Sequence, residues 1–274
     1  MSTLLGTSPS DQTNSLGIAA VDQLRAVRRA RRIGNVAWGD LAYRVYTTAL
    51  GSIVLVIFAS GLIGDSVLSA TDLDRVTRWG PRWAGLIAGV MILLGARSGS
   101  RGGPIALEPA DVHNLLLAPV PRGKVLLRPS VGTLGYGALG AAAAGALAGL
   151  LFAQRMPGGN AAFISCGVLF GAVAAAGAFG TAFLAASRKV DSRILIAVAL
   201  VLCALSVAEL DGLIAWSPMT TLGKVLFWPL GFSTLGLIPA AICVAVAVLG
   251  ISWIGGLSIE AAQRRTRLVG QLRF

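Results

Sequence analysis

Five long apolar runs constrain this chain more than any other feature. They cover residues 41–63, 131–153, 161–186, 194–216 and 234–257, and crossing a hydrocarbon core of about 30 Å takes roughly 20 predominantly apolar residues. Inside lipid every backbone N–H and C=O must find its partner within the protein, so such runs fold as helices. Composition agrees, because only 13% of the residues are charged and the mean hydropathy is +0.76, whereas a soluble domain carries roughly 25% charged residues. The expected fold class is all-α, a polytopic membrane protein. The formal net charge of +11 does not imply nucleic acid as a partner, since the basic residues sit in short clusters between apolar runs. Cys166, Cys203 and Cys243 each fall inside an apolar run, which implies neither a disulfide framework nor a zinc site.

A sixth run, residues 83–96, has only fourteen residues between Arg82 and Arg97, a length that also suits a re-entrant segment. Charge decides the matter. With six crossings and a cytoplasmic N-terminus, 18 of the 23 Lys and Arg lie inside and only Arg75, Arg78, Arg82, Arg155 and Lys224 lie outside. Without the short crossing the tally inverts to 8 inside and 15 outside. The bias of Lys and Arg toward cytoplasmic loops therefore favours six transmembrane helices with both termini cytoplasmic. Trp79 and Trp83 suit the headgroup level, and Arg82 and Arg97 extend outward from the short helix.

The expected organisation follows. Residues 1–40 form a cytoplasmic tail, without a signal peptide, and an amphipathic helix; residues 41–257 form the membrane domain, with a cytoplasmic loop at 97–130; residues 258–274 are a basic cytoplasmic tail. Arg25, Arg28, Arg29 and Arg32 share one face of the helix at 17–32, either as a topology anchor or as a stripe toward anionic lipid or an acidic partner. The third and fourth crossings carry two G-x-x-x-G pairs, Gly145 with Gly149 and Gly167 with Gly171. These let helix backbones approach closely, within one chain or across a dimer seam.

Catalytic chemistry is scarce. His113 is the single histidine, which excludes H-E-x-x-H, and no phosphate-cradling G-x-x-x-x-G-K-[ST] occurs, so the chain is not expected to be an enzyme. Glu209 and Asp211 are the acids nearest the membrane interior, at the outer end of the fifth crossing. They mark either a hydrated helix end or an outer path for a substrate. Two positions apart on a helix, they face different ways. The loop after them, residues 216–233, is too apolar for free solvent and too short to span; it reads as a short helix dipping into the outer leaflet.

The most polar segment of the loop at 97–130 is LEPADVHNLLLAPVPR, residues 107–122. Pro109 suits a first helical turn and Pro119 limits the other end. Val112, Leu115 and Leu116 then share one face, with Asp111 and Asn114 opposite. Extended to LEPADVHNLLLAPVPRGKVLLRPS, residues 107–130, the segment resembles the cytoplasmic loop after the second of six spans in ABC exporter permeases of the second type, in particular a group of bacterial exporters. The amphipathic helix before the first span and the inserted element between the fifth and sixth are similar to that family as well. The Ala-, Gly- and Arg-rich usage resembles that of actinobacterial proteins. The resemblance implies a transmembrane permease subunit of an ATP-driven exporter in the bacterial plasma membrane. A coupling helix within residues 105–122 would dock on a separate ATPase subunit through Glu108, Asp111, Asn114, Leu115 and Arg122. ATP and Mg would belong to that partner, leaving no cofactor in this chain. A homodimer or a second permease half would complete the pathway. The alternative is a membrane-anchoring or assembly subunit without its own transport pathway.

Overall fold

The computed structural model describes residues 69–103, 122–187 and 189–256, together with Gln23. Among the described residues the chain is helical and holds no β-strand. The helices are α1 (Ala70–Ser100), α2 (Arg122–Ala153), α3 (Asn160–Ala186), α4 (Ser192–Leu210), the short α5 (Pro218–Gly223) and α6 (Leu237–Trp253). A 3-10 turn, Lys224–Phe227, continues α5, and two others, Thr234–Gly236 and Ile254–Gly256, flank α6. Among the described residues, five stretches are long and apolar enough to cross a membrane: Thr71–Ser100, Leu126–Ala153, Asn160–Ala186, Ser192–Leu210 and Thr234–Gly256. The expected crossing at 41–63, the basic helix with Arg25, Arg28, Arg29 and Arg32, and the tail at 258–274 lie outside the described residues.

Helix α3 is the centre of the bundle, with α1, α2 and α6 packed around it, and α4 leans on the far side of α1. A helix surrounded on several sides must be narrow, and α3 buries Gly167, Gly171, Ala174, Ala175, Gly177, Ala178, Gly180 and Ala182. The glycine pairs face each other within the chain. A Cβ on Gly145 would run into the Gly167 carbonyl, one on Gly167 into the Gly145 carbonyl, and one on Gly171 into the carbonyl of Ala141. On the opposite side of α3, Gly95 and Gly99 of α1 lie against the carbonyls of Ala178 and Ala182. Between helices in lipid no hydrophobic effect operates, so dispersion across such close seams carries the association.

The large aliphatic side chains point the other way. Ile194, Val198, Leu200 and Val201 of α4 and Ile238, Ile242 and Val248 of α6 are all exposed. Small residues inside and large apolar ones outside suit a lipid surround and would be an aggregation hazard in water. Aromatic residues fill what the glycines leave. Phe163 and Phe170 belong to the main apolar cluster, and Phe183 packs with Leu126 and Ile254 in a second one.

Three helix boundaries differ from the sequence expectation. The fourteen-residue run at 83–96 is the middle of a helix of 31 residues. Its N-terminus is set by Ser69, whose Oγ accepts from the Asp72 N–H at 3.3 Å and donates to the Asp72 carboxylate at 2.7 Å. Charged residues at 72, 74, 75, 78 and 82 end the apolar run without ending the helix, and pairs such as Arg78 with Asp74 at 3.2 Å support that polar turn. Helix α2 starts at Arg122 and passes through Pro129, so the last part of the loop expected at 97–130 is helical. The hydroxyls of Ser130 and Thr133 donate to carbonyls one turn back, at 2.7 and 2.9 Å, around that proline.

The third difference lies at the end of α4. The apolar run extends to residue 216, but the helix stops at Leu210. Gly212 takes a φ of +76°, its N–H bonds to the Glu209 carbonyl at 3.2 Å, and the Leu213 N–H reaches the Ala208 carbonyl at 2.8 Å. This is the glycine-terminated C-cap that satisfies two of the last carbonyls of a helix.

Candidate functional site

The segment between α4 and α6 is folded into the bundle. Ser217 caps α5 by accepting from the Met219 N–H at 3.2 Å, with Pro218 in the first helical position where its missing donor costs nothing. Met219, Thr220, Thr221, Leu222, Val225, Leu226 and Phe227 are all buried. The expectation of an element too apolar for solvent thus meets a packed insertion, whose surroundings are protein. Two glycines allow the approach to α1: Gly85 lies against the Met219 carbonyl and Gly223 against the Pro81 carbonyl. Phe227 covers Gly80 and meets Phe152 of α2 in a tilted ring contact, 5.2 Å between centroids. Trp228 closes the far end, donating from Nε1 to the Ser233 carbonyl at 3.1 Å.

A polar network runs through this apolar contact. Glu209, in the last turn of α4, is buried with 4% of its surface exposed. The Thr220 hydroxyl of α5 donates to its Oε2 at 2.5 Å, and Arg82 of α1 places Nε 3.7 Å from its Oε1. The same guanidinium donates through Nη1 to the Glu209 main-chain carbonyl at 3.2 Å and lies over the Trp79 ring at 5.2 Å. One turn back on α4, the buried Ser206 and Ser217 hydroxyls meet at 3.4 Å. Two other elements, α1 and α5, therefore converge on the carboxylate that α4 carries. Burying a carboxylate is tolerable when it is paired and hydrogen-bonded in this manner, and removing one partner is costly because a charge is left behind.

The two acids singled out in the sequence part company. Glu209 turns inward, while Asp211, at the C-cap of α4, is exposed. Arg82, expected to extend away from the helix toward headgroups, instead folds onto Glu209 with its side chain 23% exposed; the pull of a buried carboxylate outweighs hydration. Sequence reasoning missed Thr220, Ser206 and Ser217 as members of the cluster. A usable signal existed for Thr220, since a hydroxyl is the kind of partner a buried acid needs, whereas Ser206 and Ser217 bond to each other and to nearby backbone.

Of the residues assigned to ATPase contact, Glu108, Asp111, Asn114 and Leu115 lie outside the described residues, and Arg122 opens α2. No protein-family model, curated protein or solved structure matches the chain.

Proposed function

We propose that this chain is the permease subunit of an ATP-driven ABC exporter in the bacterial plasma membrane, with six crossings and both termini cytoplasmic. The observation that carries the reading is the inserted element α5, which follows α4 and precedes α6 in the chain and is buried against α1. It stands together with the EPAD and APVPR signature at 108–122, and both features belong to the layout of that family. In this reading ATP closure of a partner ATPase moves residues 105–122, through Glu108, Asp111, Asn114, Leu115 and Arg122. Because α1 and α2 flank the loop and are both packed against α3, a push there reaches the whole bundle. A second copy or a second permease half supplies the other wall of the pathway.

Asp111→Arg combined with Leu115→Asp should abolish co-purification with the ATPase while membrane insertion is retained; unchanged co-purification refutes the coupling role. A second reading, an anchoring or assembly subunit, draws on the backbone-to-backbone seams at Gly145, Gly167 and Gly95, which suit a rigid body. Substrate export that stops when the partner ATPase is inactivated selects the permease over the anchor.

A further inference from the structure

The inserted element is docked tightly along its length and joined at both ends by non-helical chain. On the α4 side it hangs from Gly212 and on the α6 side from Gly231, and a Cβ at either glycine would meet nothing within 4 Å. Residues 211–217 and 231–233 carry no helix; there the chain is held by single contacts, the Gly212 and Leu213 N–H groups on α4 and the Trp228 indole on the Ser233 carbonyl. What keeps the element down is chiefly its contact with α1, with smaller contacts to α3, α4 and α6. The apolar part of that contact holds the element by close packing at Gly85 and Gly223, with no hydrophobic gain added, because lipid tails are as apolar as Leu222, Val225 or Phe227. The polar part discriminates strongly between docked and undocked positions: undocking takes the Thr220 hydroxyl from the Glu209 carboxylate and opens the site that Arg82 closes from the other side.

We propose that Arg82, Glu209 and Thr220 form a latch that ties residues 218–230 to α4 and, through Glu209, to α1, and that breaking it lets this element swing as a unit about Gly212 and Gly231. The swing uncovers the face of α1 at Gly80 and Gly85, now covered by Phe227 and Met219. The latch sits in the last turn of α4, beside the exposed C-cap residue Asp211. This proposal rests on the packing of the insertion and is independent of the transport reading.

The test uses the full chain in lipid nanodiscs, which expose both membrane faces and so remove any dependence on orientation. With Cys166, Cys203 and Cys243 replaced by Ala, Val225→Cys reports on the insertion and Val173→Cys, in the core of α3, reports on the bundle; both valines are buried. A water-soluble maleimide should label position 225 at least tenfold faster when Glu209→Gln is added, and severalfold faster with Thr220→Val, while position 173 stays protected in both. The exchange Arg82→Glu with Glu209→Arg should return position 225 to slow labelling. Unchanged labelling at 225 in Glu209→Gln overturns the latch, and so does a parallel rise at 225 and 173, which would make the network a prop for the whole bundle.

Discussion

Replacing Gly145 by Ala adds one methyl group where α2 and α3 touch. That Cβ would sit 2.7 Å from the Gly167 carbonyl carbon, against 3.4 Å for ordinary contact, so the backbones must separate locally by at least about 0.7 Å. The opposing atom is main chain and cannot rotate aside. A gap of roughly 0.5–1 Å forfeits about a quarter to a half of each pairwise attraction along the seam, and overpacking of a close-packed interior costs about 1–3 kcal/mol. Gly140→Ala is the control, since a Cβ there meets nothing within 4 Å and the substitution reports only the helix-propensity gain of up to about 1 kcal/mol. Reversible unfolding in mixed micelles, titrated with SDS and followed by tryptophan fluorescence, should place Gly145→Ala about 1–3 kcal/mol below Gly140→Ala. Equal stability of the two variants, within about 0.5 kcal/mol, would refute the claim that the glycine seam is in backbone contact.

Two further outcomes follow from the same packing. Gly212→Ala forces a side chain into a φ of +76° and should cost about 1 kcal/mol in the same titration, with Gly212→Asn losing less because Asn tolerates the left-handed region. Phe227→Ala removes the ring that covers Gly80 and meets Phe152. Gly80→Ala should be destabilising alone and close to neutral beside Phe227→Ala, a coupling of about 1 kcal/mol or more in a double-mutant cycle.

What the sequence disclosed follows the physics of each feature. Apolar runs of membrane length are a property of composition along the chain, and the runs at 131–153, 161–186 and 234–257 correspond to helices α2, α3 and α6. The G-x-x-x-G pairs were visible as spacing, but spacing is silent on which helix each glycine meets; the structure puts Gly145 against Gly167. Helix ends were less legible, because hydropathy marks where lipid ends and hydrogen bonding marks where a helix ends. At residue 210 the apolar run continues past a glycine C-cap whose Asp-Gly step was in plain view. At residue 83 the helix began thirteen positions earlier, where Ser69 and Asp72 supply a polar start. The Arg82 to Glu209 pair was the least legible, since its partners are 127 residues apart and only the folding of α5 onto α1 brings Thr220 to the same carboxylate.

The account depends on the short run at 83–96 crossing the bilayer, which puts the EPAD segment on the side that holds ATP. A cysteine at position 114, in a background without the native cysteines, tests this with a membrane-impermeant thiol reagent on cells producing the full chain. The reagent should leave intact cells unlabelled and react once the membrane is opened. Labelling of position 114 from the exterior of intact cells would contradict the topology and the coupling role together.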